Sequence, residues 1–202
     1  MAEIPAPKDV GGPAAAPAQP FTRYREWPPA KACGAAPLID RADLRVQRLD
    51  GLHQALSSGA IAAAAARFGA TAPGLGLFAD SPQPHCAVRI ARDRLLLVGP
   101  EPLAAEPGWQ PEGFALTPID DGLAAYALTG AAVPALLRLG TAIDPNATSP
   151  CAAMLFAGFA VVAYRCQGVL RIHLEASLTT AFEAWLRQAT TDLPSNPGRV
   201  PT

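Results

Sequence analysis

Residues 119–189 read IDDGLAAYALTGAAVPALLRLGTAIDPNATSPCAAMLFAGFAVVAYRCQGVLRIHLEASLTTAFEAWLRQA, and their periodicity decides the fold class. Leu123 to Leu128 is a predicted strand. Thr129 can cap a helix from about Ala131 to Leu139, whose Val133, Leu136 and Leu137 make one inward stripe. Pro134 falls in the first turn of that helix, where a missing amide costs least, and Gly140 ends it. Beyond the break at Asp144-Pro145, Ala152–Ala157 and Phe159–Cys166 pair as a hairpin around Gly158. Val169 to Leu174 returns with Leu170, Ile172 and Leu174 on one face and Arg171, His173 and Glu175 on the other. A last helix, about Ser177 to Thr190, carries Leu178, Phe182, Trp185, Leu186 and Ala189 on one stripe, with Arg187 near its end suiting the dipole. The expectation is an α+β fold: a mixed or antiparallel sheet with helices packed on one side.

Working outward, order begins near Asp40, and Leu44, Val46 and the neighbouring Leu49 predict a strand. Residues 52–58 fit neither period. Ala60 to Phe68 predicts a helix closed by Gly69. The Gly74-Leu75-Gly76 that follows has neither a clear strand before it nor a helix after it, so it reads as loop rather than phosphate cradle. Cys86–Ala91 and Leu95–Val98 predict a hairpin around Arg92-Asp93-Arg94, and the unbroken Leu95-Leu96-Leu97-Val98 suits a strand buried on both faces. Residues 100–113 read as connector. One domain, 38–191, is expected, with room for two α/β subdomains at about 38–112 and 113–191. Residues 1–37 are expected to be a disordered Pro/Ala-rich tail, because proline removes amide donors and apolar residues are scarce. Within that tail Phe21-Thr22-Arg23-Tyr24-Arg25-Glu26-Trp27 packs loosely on its own domain or anchors a partner. Residues 192–202 read as a flexible C-terminal tail.

Lys and Arg total 16 against 17 Asp and Glu, a balance that argues against a nucleic-acid surface. The longest apolar run, Ala60 to Ala66, is too short to span a membrane. With no basic start leading into an apolar core, the chain is expected in the cytoplasm. Cys33, Cys86, Cys151 and Cys166 lack metal-ligand spacing and read as free structural thiols.

The search for chemistry names no catalytic, cofactor-binding or metal residue. His53, His85 and His173 are scattered, and His173 between Arg171 and Glu175 reads as a surface histidine. Asp120-Asp121 is the one acidic pair, and a turn role suits it better than a shared acid/base dyad. Ser149 and Cys151 have no orienting base to make either a nucleophile.

The runs LAAYALTGAAVPALLRLGTAIDP and CAAMLFAGFAVVAYRCQGVLRIHLEASLTTAFEAWLRQA resemble the gamma subunit of heterotetrameric sarcosine oxidases. Thr129-Gly130, Gly140, Asp144, Cys151, Gly158 and Trp185-Leu186 carry the likeness, and CAVRIARDRLLLVGPE resembles an upstream strand pair. Ala131 stands where the family usually has proline, and Arg94 where it has tryptophan. The resemblance implies a fold similar to the folate-binding domain of the glycine cleavage T protein. It also implies partner chains, the large alpha subunit with beta and delta, which would hold FAD, FMN, NAD and tetrahydrofolate. The complex would demethylate sarcosine oxidatively, passing the one-carbon unit to tetrahydrofolate and forming hydrogen peroxide, while this chain would do no chemistry alone. A gamma-type subunit of N-methylglutamate dehydrogenase, a stand-alone folate-binding or one-carbon-transfer protein, and an unrelated interaction module are the alternatives.

Overall fold

A computed structural model describes residues 36–70, 74–103 and 105–193. The expectations for the N-terminal tail, Cys33 and the 21–27 segment included, lie outside the described residues, as do those for 194–202. In chain order the elements are β1 (Ile39–Arg41), β2 (Leu44–Leu49), β3 (His53–Gly59), α1 (Ile61–Arg67), β4 (Asp80–Ser81), β5 (Cys86–Ala91), β6 (Arg94–Gly99), β7 (Gly108–Gln110) and β8 (Phe114–Pro118). They continue with β9 (Leu123–Thr129), α2 (Val133–Gly140), β10 (Ala153–Phe156), β11 (Phe159–Cys166), β12 (Val169–Glu175), a 3-10 turn (Ala176–Leu178) and α3 (Thr179–Thr191).

The strands form two sheets. The first runs β1-β2-β9-β12-β11-β10, with β4 added parallel to the far end of β11, and the second runs β5-β6-β3-β8-β7. Every pairing between named strands other than β4–β11 is antiparallel. Both sheets draw strands from either side of residue 112: β2 pairs with β9, and β3 with β8. A cut at the junction of 38–112 and 113–191 would therefore open both sheets.

Side-chain alternation along the strands sets out the layers. Tyr126, Leu128, Leu170, Ile172 and Leu174 face α2 and α3, where they meet Val133, Leu136, Leu137, Phe182, Leu186 and Ala189. Ala55, Leu95, Leu97, Phe114 and Leu116 of the second sheet face Ala64 and Ala65 of α1. The two remaining faces close on one another through Cys86, Val88, Leu96, Val98, Ala152, Tyr164 and Cys166. The α+β expectation holds for each sheet taken alone, with its helices on one side. What the sequence did not reveal is that there are two such layers, back to back.

Local causes differ from expectation at both ends of α2. Thr129 does not cap it; that residue is the exposed end of β9, and Ala132 stands at the cap with no side-chain bond. Backbone carbonyls do the work instead, since Asp43 O accepts from Ala132 N at 2.9 Å and Gly130 O from Val133 N at 3.3 Å. Gly140 is the last helical residue, and its requirement is space: a Cβ there would run into the Phe156 ring. That approach lets Gly140 O accept from Ala157 N at 2.7 Å, tying α2 to the β10–β11 turn.

The helix-side core is aromatic, with Phe182 edge-on to Tyr126 (5.3 Å), Phe156 (6.2 Å) and Phe159 (5.4 Å). Tyr126 Oη donates to Glu183 Oε1 at 2.8 Å, and burial, followed by Glu183, pushes the phenol pKa up, so the proton stays. Tyr126→Phe is expected to lower stability by about 1.5 kcal/mol, the scale of a hydrogen bond to a charged acceptor. Urea unfolding of both proteins checks it; an unchanged midpoint would show that water replaces the phenol at Glu183 without loss.

Candidate functional site

Between the two sheets lies a short polar chain, the most buried ionisable arrangement among the described residues. His173 of β12 is fully buried, as are Tyr164 beside it on β11 and, nearly so, Gln54 of β3. His173 Nε2 is 3.0 Å from Tyr164 Oη, and His173 Nδ1 is 2.8 Å from Gln54 Oε1. Gln54 Nε2 donates to Leu123 O at 2.9 Å and to Asp120 O at 3.4 Å, which leaves Oε1 as its acceptor end. The tautomer follows: Nδ1–H donates to Gln54, and Nε2 accepts from the tyrosine hydroxyl. Burial, with Arg171 as a second cause, holds the imidazole pKa down at about 3, so the ring is neutral. Burial likewise raises the Tyr164 pKa and keeps its proton in place.

Both ring nitrogens are thus engaged, and neither is free for a substrate or a metal. The arrangement joins β11 and β12 of one sheet to β3 of the other and makes the sheet-to-sheet contact directional. The surface reading of His173 is overturned. Its face of β12 was assigned correctly as the one opposite the helices, but that face meets the second sheet instead of water. The missed signal lay in β11, where Val162, Tyr164 and Cys166 face the same way as His173 and are too apolar for a solvated face.

The other expected residues stay apart. His53 is half-buried, with Nδ1 3.6 Å from Asp120 Oδ2, and His85 is exposed. Asp120 and Asp121 occupy a turn, where Asp120 Oδ1 accepts from Gln54 N at 2.5 Å. Ser149 Oγ accepts from Cys151 N at 3.3 Å, and Cys151 Sγ donates to Ile90 O at 3.1 Å, so both serve the local backbone. Cys86, Cys151 and Cys166 are free thiols. Burial, then neighbouring Cys166, pushes the Cys86 thiol up to about 12, well away from nucleophilic range. Among the described residues no group of three His, Cys, Asp or Glu side chains could hold a metal ion. No described helix is long and apolar enough to cross a membrane.

Gly74-Leu75-Gly76 is no phosphate cradle either. Its glycines let the chain approach other backbone: a Cβ on Gly76 would meet Ser149 O, and one on Gly74 would lie 3.2 Å from Ala87 O, with the Leu95 side chain closer still. Leu75 bonds to β5 and Leu77 to Ser149, so the segment is a strap laid along the sheet edges.

The class defined so far is a small α+β domain of two back-to-back antiparallel sheets whose central histidine is structural. No protein-family model and no curated protein matches the chain. Among solved structures it is similar to a chain of the heterotetrameric sarcosine oxidase from Corynebacterium sp. U-96 in complex with pyrrole 2-carboxylate, at 19% identity and a TM-score of 0.59. The likeness covers 82% of this chain and 92% of that one, so the fold is shared over most of both.

Proposed function

We propose that this chain is a gamma-type, non-catalytic subunit of a heterotetrameric flavoenzyme complex similar to sarcosine oxidase. The observation that carries the reading is the coverage of 92% of a chain that belongs to such a heterotetramer. Its own geometry supports it, because the buried imidazole and the described thiols are engaged in holding the sheets and loops together. Alpha, beta and delta partners would carry the FAD, FMN, NAD and tetrahydrofolate, and the complex would oxidise an N-methyl amine in the cytoplasm. This chain would supply a folded surface to the large subunit.

Co-expression with alpha, beta and delta subunits of such a complex, followed by affinity purification through this chain, is the test. The expected result is one four-chain species with amine oxidase activity, while this chain purified alone carries no flavin and leaves sarcosine untouched. Oxidation of sarcosine by the isolated chain would sink the proposal. Titration of the isolated chain with tetrahydrofolate is expected to show no binding; saturable binding there would favour a stand-alone folate protein instead.

A further inference from the structure

One region of the inner face of the first sheet is left uncovered by the second. Across it, Gln47 of β2, Ala127 of β9 and Arg171 of β12 stand on one cross-strand row, by the pairings Gln47↔Ala127 and Arg171↔Ala127. Adjacent strands are about 4.8 Å apart, so the glutamine and the arginine rise roughly 10 Å from each other over a floor that is only a methyl group. Arg45 and Thr129 form the next row, again paired, and Leu49, Val169, Cys166 and Gln167 complete the lining. The result is a trough of about 290 Å³.

Its charge is one-sided. Two guanidinium groups and two carboxamides line it with a threonine hydroxyl, and among the described residues no carboxylate does. Arg171 Nη1 is buried without a well-aligned hydrogen bond, and the guanidinium lies against the Tyr164 hydroxyl, its cross-strand neighbour. A guanidinium brings five N–H donors, more than one tyrosine oxygen can accept, so donors remain for a ligand on the trough side. The groups that face Arg171 from the packed elements do not supply negative charge. His173 and Tyr164 are neutral, and Cys86 keeps its proton.

We propose that this trough binds a small oxyanion, a carboxylate or phosphate group seated over Ala127 between Gln47 and Arg171, with Arg45 at its open end. The planar fork of Arg171, half-buried and without a facing carboxylate, suits a two-oxygen acceptor. The volume fits a short dicarboxylate or phosphate rather than a nucleotide. This site is independent of the subunit reading, since the isolated chain contains every residue it needs.

Thermal unfolding of the full chain tests it, in sodium phosphate and separately in sodium succinate, each against sodium chloride at equal ionic strength. A ligand at ten times its dissociation constant raises the midpoint of a domain this size by roughly 4 °C. The wild-type chain and Arg92→Gln, a control on the exposed β5–β6 turn, are expected to show the rise. Arg171→Met, which removes the cation, and Ala127→Leu, which fills the floor and leaves the charge, are expected to lose it. Amide NMR shifts in the wild-type chain locate the anion without any variant, at residues 45–49, 127–129 and 169–171. A flat wild-type response to both anions overturns the proposal, as does an undiminished rise in Ala127→Leu or shifts confined to other residues. Should free anions be inert while Arg171→Met loses capture by the partner subunits, the trough accepts a protein carboxylate and the small-anion site is refuted.

Discussion

Gly76→Ala is expected to cost more than about 3 kcal/mol and to leave much of the chain insoluble, the largest effect of a methyl group added at any described glycine. The Cβ would meet Ser149 O, with Ser149 C at 3.0 Å and Pro150 C at 3.3 Å behind it. Every one of those atoms is backbone, so no rotamer change relieves the overlap. Either the strap or the Ser149 loop must move, and the strap is tied on both sides. Leu75 N donates to Ala87 O at 2.7 Å, Arg89 N to Leu75 O at 2.8 Å and Leu77 N to Ser149 O at 3.0 Å. Further along, Phe78 N reaches Ala163 O at 3.2 Å, and Arg165 N reaches Ala79 O at 2.8 Å. The first bonds belong to the second sheet and the last to β11 of the first, so displacement of the strap unfastens the two sheets from each other. Each bond contributes about 1 kcal/mol net, and several would go together. Gly168→Ala is the control: its φ of +77° strains an alanine, but nothing lies within 4 Å of the new methyl. About 1 kcal/mol is expected there. Urea unfolding of both variants decides; equal midpoints would mean that the strap yields freely and does not join the sheets.

That glycine shows where reading the sequence reached its limit. Gly74-Leu75-Gly76 was legible as irregular chain lacking the context of a phosphate loop, which is correct as far as it goes. The need for glycine arises from Ser149, which lies far along the chain, and no local pattern encodes such an approach. The elements with clean periods were legible for the same reason in reverse. The α2 stripe of Val133, Leu136 and Leu137, the α3 stripe through Phe182 and Leu186, and the hairpin about Gly158 each follow from side chains that alternate toward one apolar layer. β3 did not, because its sequence HQALSSG places Gln54 inward and its remaining polar residues disguise a central strand. β8 escaped for its brevity and its Pro118 end. The polar chain of Gln54, Tyr164 and His173 was illegible for a further reason. A histidine flanked by Arg171 and Glu175 has the pattern of a wet face, and only the presence of a second sheet converts it to a core position.

Burial of that histidine carries a pH dependence. Between pH 7 and pH 5 the wild-type domain is expected to lose about 2 kcal/mol of stability that a His173→Asn variant does not lose. In the unfolded chain an imidazole takes up its proton near 6.5, whereas the folded His173 resists until about 3. Within that window the unfolded state holds one more proton than the folded state, so acid favours unfolding. The stabilising term is complete above pH 6.5 and fades at about 1.4 kcal/mol per pH unit as pH falls toward 3. Asparagine is the informative replacement because its amide nitrogen stands near the Nδ1 position and can still donate to Gln54 Oε1. It does not titrate, and it leaves Tyr164 Oη without its acceptor, so the variant starts lower, by about 1–3 kcal/mol at pH 7. His53 and His85 are present in both proteins and cancel in the comparison. Leucine at 173 would remove the titration too, but it strands Gln54 Oε1 as well as Tyr164 Oη and is expected to be worse than asparagine at pH 7. Chemical denaturation at pH 7, 6 and 5 gives the slopes directly. Parallel slopes in wild type and His173→Asn would mean that the folded imidazole titrates as it does in water, and that water reaches the space between the sheets.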